Sequence, residues 1–136
     1  MTESSQNDPL TVLLADDTRA VDRERIASFL SPYVQFDKAT KEISLLGAFN
    51  SIISNEGKVE VVLMASKARF LILDIPEGLS PSEMIKMDIM PEGSIKSSLK
   101  KLYDGRKIKK EASGGKYFIP NYRIGNVIER LSAEGS

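Results

Sequence analysis

The sequence predicts an α+β fold, and three observations predict it. Lys58–Leu73 is apolar almost all round and reads as a central helix. Ser80-Pro81-Ser82-Glu83 is a helix-start signal, and a second amphipathic helical stretch follows it closely. Arg106–Ile119 then reads as two short strands around a Gly-Gly tip. Helices and strands lie in blocks, without the regular alternation of a parallel sheet.

The elements follow in order. Residues 1–9 (MTESSQNDP) are polar and read as a disordered tail. Leu10–Ala15 is a short apolar run and a candidate strand. Asp17 or Thr18 can cap a helix reaching Leu30, with Val21, Ile26, Phe29 and Leu30 as its stripe. Ser31-Pro32 stops it, because proline disfavours helix for the residue before it. Tyr33–Leu45 alternates at Val34, Phe36, Ile43 and Leu45 around the polar DKATKE, which predicts a hairpin. Leu46–Ile53 reads as a helix closed near Asn55 and Gly57. Lys58–Leu73 comes next, with Val59, Val62, Leu63, Ala65, Phe70 and Leu71 on its broadest apolar face.

The capping box places a two-turn helix after Ser80, and Met90-Pro91-Glu92-Gly93 breaks and restarts the chain. Glu92–Tyr103 carries Ile95, Leu99 and Leu102 at i, i+4 and i+7. That stripe faces a core and turns Ser94, Lys96, Ser97, Lys100 and Lys101 outward. Asp104-Gly105 ends the helix. In the hairpin that follows, Ile108 reads as inward, and Lys107, Lys109 and Lys110 as accessible. Tyr117, Phe118 and Tyr122 read as packing residues, since duplex DNA hides its base faces. A last helix at Ile124–Leu131 has Ile124, Val127, Ile128 and Leu131 on one side. The organisation is a tail (1–9), an N-terminal extension (10–56) and one domain (57–132).

Composition removes much chemistry. There is no Cys and no His. Thiol nucleophiles, Cys/His zinc sites and histidine acid–base catalysis are excluded. No phosphate-binding loop, dinucleotide fingerprint or nucleophile elbow occurs. The expectation is a non-enzymatic protein with no cofactor and no metal. The absence of cysteine suits the cytoplasm, and no apolar run approaches a membrane span.

Net charge is zero, but it is unevenly spread. Residues 91–123 hold nine basic side chains (Lys96, Lys100, Lys101, Arg106, Lys107, Lys109, Lys110, Lys116, Arg123) against three acidic ones (Glu92, Asp104, Glu111), net +6. Residues 1–56 hold five basic and nine acidic side chains, net −4. One basic segment in a neutral chain is an electrostatic footprint for a polyanion.

SIKSSLKKLYDGRKIKK and the GGKYFIP after it resemble the helix-plus-wing signature of prokaryotic, especially archaeal, winged-helix transcription regulators. The matching positions are Pro91, Gly93, Ser94, Ile95, Leu99, Lys100, Lys101, Leu102 and Gly105. The resemblance covers residues 58–120. It departs at Gly93, where other members carry a bulkier polar residue. It implies a winged helix-turn-helix domain with an N-terminal helical and β-hairpin extension, binding double-stranded DNA as a homodimer. Ser94, Lys96, Ser97, Lys100 and Lys101 would face the major groove. Arg106, Lys107, Lys109, Lys110 and Lys116 would hold the backbone from the wing. The acidic N-terminal third would serve dimerisation or a protein partner.

Two other readings are open. A winged helix also serves as a protein-interaction module in larger assemblies. VLLADDTR (12–19) and FLILDIPEG (70–78) resemble the acidic strand ends of phospho-acceptor receiver domains, with Asp16, Asp17 and Asp74 as the site.

Overall fold

The computed structural model describes residues 9–13 and 22–134. Among the described residues, five α-helices and two small antiparallel sheets make an α+β fold. The strand expected at Leu10–Ala15 is instead a 3-10 helix at Pro9–Leu13. Residues 14 and 15 lie outside the described residues, as do the candidate caps Asp17 and Thr18 and the tail before Pro9.

The first helix, α1, spans Arg23–Leu30. Its cap is Asp22, whose carboxylate accepts from the Arg25 N–H at 3.0 Å. Ile26, Phe29 and Leu30 are buried, as the stripe predicts. β1 (Val34–Phe36) and β2 (Ile43–Leu45) pair with Val34 opposite Leu45. The DKATKE turn is held by Asp37, which accepts from the Ala39 and Thr40 N–H groups, both at 2.8 Å. Those N–H donors, Thr40 foremost, hold the Asp37 carboxyl below its usual range. Leu46–Ile53 is not an α-helix: only Gly47–Ser51 coils, as a 3-10 turn with Phe49 buried. Ile52 is already extended (φ −66°, ψ 126°), which ends the coil after Ser51.

α2 spans Asn55–Leu73. It begins three residues earlier than periodicity predicts, because Ser54 caps it by accepting from the Gly57 N–H at 2.9 Å. Val59 and Val61–Ala65 are fully buried. The helix surfaces at its two ends, at Asn55 and at the large apolar residues Phe70 and Ile72. Asp74 closes it in the left-handed conformation (φ 56°). Residues 70–73 are thus helix and not the strand end that a receiver site at Asp74 would need; Asp16 and Asp17 lie outside the described residues.

α3 is Pro81–Lys86, with the predicted capping box complete. Ser80 Oγ accepts from the Glu83 N–H at 3.1 Å, and Glu83 Oε1 accepts from the Ser80 N–H at 2.9 Å. α4 spans Glu92–Asp104 and packs extensively on α2 through Ile95, Leu99 and Leu102. Burying each of these side chains contributes about 1.5–3 kcal/mol. β3 (Lys109–Lys110) pairs with β4 (Tyr117–Phe118), Lys109 opposite Phe118. The ladder is shorter than the strands expected at Arg106–Glu111 and Lys116–Ile119. Arg106 and Lys107 are spent on closing α4, and Ile119 is buried just ahead of Pro120, which has no N–H to donate.

A third extended segment joins this hairpin. Leu79 forms an antiparallel bridge to Tyr117 by two backbone hydrogen bonds, at 2.9 and 2.8 Å. Gly78 lies directly under the hairpin: a Cβ there would stand 2.5 Å from Glu111 Oε2 and 2.8 Å from Lys116 Cβ. Gly78→Ala should cost about 1–3 kcal/mol by overpacking, read as a lower denaturant midpoint with an unchanged slope. An unchanged midpoint would mean the hairpin is not seated on Gly78.

α5 spans Ile124–Glu134, with Ile124, Val127, Ile128 and Leu131 buried. Side chains of α1, α2, α4 and α5 share one core. Two buried charges on α2 tie it to the C-terminal part of the chain. Arg130 donates to the fully buried Glu60. Lys67, also buried, sits 2.6 Å from Glu77 and donates to Asn121.

Candidate nucleic-acid interface

The ten basic and hydroxyl residues singled out by the sequence fall into two groups. Ser94, Lys96, Ser97, Lys100 and Lys101 are on α4; Ser94 is half-buried and the others are exposed. The stripe Ile95, Leu99, Leu102 is driven inward, and that sets the outward face. Lys96 pairs with Glu92 at 2.8 Å and Lys100 with Asp104 at 3.0 Å, each one helical turn away. The Lys96 ammonium, through its hydrogen bond and its charge, holds the Glu92 carboxyl below its usual range. Exposed pairs of this kind, screened by solvent, contribute little to stability. They still leave a carboxylate beside each lysine, which repels an approaching phosphate.

Beyond Lys100 the picture changes. Lys101, Arg106, Lys107, Lys109 and Lys110 are all exposed, and none makes an ion pair with a described residue. They lie within ten consecutive residues around the corner from α4 into the hairpin. The corner is built by the helix end. The Arg106 N–H reaches the Tyr103 carbonyl at 3.0 Å, and the Lys107 N–H reaches Leu102 at 2.9 Å. This arrangement needs one left-handed residue. The sequence suggests Gly105 for it, yet Gly105 has φ −80° and Arg106 takes the position at φ 60°. An arginine thus occupies the conformation that glycine prefers.

The hairpin aims its lysines with tyrosines. Lys109 Nζ lies 5.6 Å from the Tyr122 ring and Lys110 Nζ 5.5 Å from the Tyr117 ring. Successive strand residues point to opposite faces, so the two ammonium groups flank the ribbon. Tyr103 packs edge-on against Tyr117 at 6.0 Å. Tyr117 and Phe118 are half-buried, but Tyr122 is 60% exposed and lies outside the core, with the hairpin's Lys109 over its ring. It follows Pro120 in a 3-10 turn (Asn121–Arg123), which turns its ring out beneath Lys109. Lys116 is half-buried and leans towards Glu83 at 3.7 Å. Burial raises the Glu83 carboxyl, but the Ser80 hydrogen bonds and Lys116 together outweigh it, leaving it below the usual range.

At Gly93 a Cβ would meet nothing within 4 Å, so internal packing does not require glycine there. Glu92 occupies the first turn of α4, where its charge suits the helix dipole but opposes a phosphate. Sequence reasoning missed the buried Glu60 and Lys67. The available signal was two charges inside a stretch that is otherwise apolar on every side. Among the described residues, no group of three acidic side chains is placed to hold a metal ion, and no helix is long and apolar enough to cross a membrane. Comparison with models of known families, with curated proteins and with solved structures gave no match.

Proposed function

We propose that the chain is a winged-helix protein that grips duplex DNA by its phosphate backbone, with a role in transcription regulation. The observation that carries the reading is the set of five cations, Lys101, Arg106, Lys107, Lys109 and Lys110, that make no ion pair with a described residue. The order α2, Leu79 bridge, α3, α4, β3, β4 supports the fold assignment. α3 and α4 would form the helix-turn-helix, and β3–β4 the wing. The regulatory role follows from the resemblance of residues 58–120 to regulators of that plan.

The electrostatics move the grip away from the first turns of α4. Lys96 and Lys100 start out paired, whereas Lys101, Arg106, Lys107, Lys109 and Lys110 make no ion pair with a described residue. Lys109 and Lys110 on the two faces of the ribbon would reach phosphates on either side of a groove. Lys101, Arg106 and Lys107 would hold the strand passing the end of α4. Phosphate contacts fix position and carry little sequence information. The reading therefore predicts strong salt dependence and modest base selectivity.

Arg106→Gly tests it with the fold preserved. Glycine relieves the left-handed strain but loosens the unfolded chain less favourably, so the two effects of about 1 kcal/mol nearly cancel. Thermal stability should stay close to wild type. The slope of log K against log salt should fall by about 0.9 if the guanidinium neutralises one phosphate. An unchanged slope and affinity would remove Arg106 from the interface.

The ion pairs on α4 favour a second reading, a protein-interaction module. A face that alternates Lys96, Lys100 with Glu92, Asp104 matches a mixed-charge protein surface. In that case duplex DNA does not bind even at low salt.

A further inference from the structure

Away from the basic corner, α1, β1 and the exposed end of α2 enclose an apolar groove of ≈ 250 Å³. Ile26, Leu30, Val34, Phe36, Leu71 and Ile72 line it, and Ile72 is 61% exposed. An apolar cavity of about 150 Å³ already accepts a molecule the size of benzene, so this groove has room for leucine side chains. The same chain carries two exposed leucines near its N-terminal end. In the 3-10 helix Pro9–Leu13, Leu10 is 67% exposed and Leu13 78% exposed.

We infer that this N-terminal arm seats Leu10 and Leu13 in the groove of a second copy, and that the second copy returns the contact. The charges match. Asp8, Asp16 and Asp17 flank the apolar run in sequence. Arg23 lines the groove and makes no ion pair with a described residue. The reach also suits an exchange: eight residues separate Leu13 from Asp22 at the start of α1, and such a stretch spans at most about 30 Å. Within one chain both the leucines and the groove remain exposed, whereas reciprocal exchange covers both pairs with one two-fold operation. This inference is independent of DNA binding.

Sedimentation of the full chain over a concentration series tests it, with two variants. Leu10→Ser/Leu13→Ser removes the arm's apolar surface, and Ile72→Glu places a charge in the groove at an exposed position that folding does not need. Wild type should show a reversible monomer–dimer equilibrium, and each variant should weaken it at least tenfold. Mixing the two variants should restore a heterodimer, because the arm of one and the groove of the other are intact. Three outcomes overturn the proposal. One is a wild type that stays monomeric while the arm variant melts lower, which means the arm folds onto its own chain. Another is a wild-type monomer with unchanged melting in the variants. The third is an arm variant that dimerises as tightly as wild type, which means the groove pairs without the arm.

Discussion

Arg130→Met should lower the unfolding free energy by about 3 kcal/mol, near the lower end of what breaking a buried ion pair costs. Glu60 is fully buried, and its Oε1 depends on the Arg130 guanidinium. Its Oε2 has no hydrogen-bond partner among the described residues. Removing Arg130 strands that carboxylate in the core beside Val59 and Val61. Methionine keeps most of the volume, so the loss reports charge and not packing. Adding Glu60→Leu to Arg130→Met should recover at least half of the loss, since an apolar pair is tolerated where a lone charge is not. Urea denaturation of the three variants measures both. A cost under about 1 kcal/mol for Arg130→Met would mean the pair is effectively solvated and does not anchor α5 to α2.

Lys107→Glu/Lys109→Glu/Lys110→Glu should abolish measurable duplex binding at 100 mM salt, with the fold intact by circular dichroism. All three side chains are exposed, so reversal costs little stability. Each substitution removes one phosphate contact and adds one repulsion. Lys96→Glu/Lys100→Glu should weaken binding several times less, because these lysines already face Glu92 and Asp104. Fluorescence anisotropy on one labelled duplex compares the two. Equal losses, or a larger loss from the α4 pair, would return the grip to the middle of α4 and refute a wing-led contact.

How much of this was legible in the sequence follows from where the determinants sit. The capping box Ser80–Glu83 and the stripe Ile95, Leu99, Leu102 are local signals, and both elements form where they predict. The DKATKE turn is likewise closed by its own Asp37. Leu10–Ala15 misled because a short apolar run has no periodicity to separate strand from turn. Gly57, which reads as a helix end, is instead buried in the first turn of α2; a Cβ there would lie 3.0 Å from Leu131 Cδ2. That contact with α5 is invisible to a local reading.

The candidate site was legible as a list of cations and illegible as a charge distribution. Lys96 and Lys101 look alike in sequence, and among the described residues only Lys96 meets a carboxylate. The i, i+4 spacing of Glu92–Lys96 and Lys100–Asp104 was the available clue. Arg106 hid for a different reason. Helix closure at Gly105 predicts the glycine as the left-handed residue, and the closing hydrogen bonds place that residue one position later.

Duplex affinity measured between 50 and 200 mM salt tests the central claim most directly. Five phosphates neutralised by Lys101, Arg106, Lys107, Lys109 and Lys110 give a slope of log K against log salt of about −4.5, or roughly 500-fold weaker binding across that range. A slope near that value, little changed between unrelated duplex sequences, is the predicted result. No duplex binding at 50 mM salt, or a slope near zero, would contradict it.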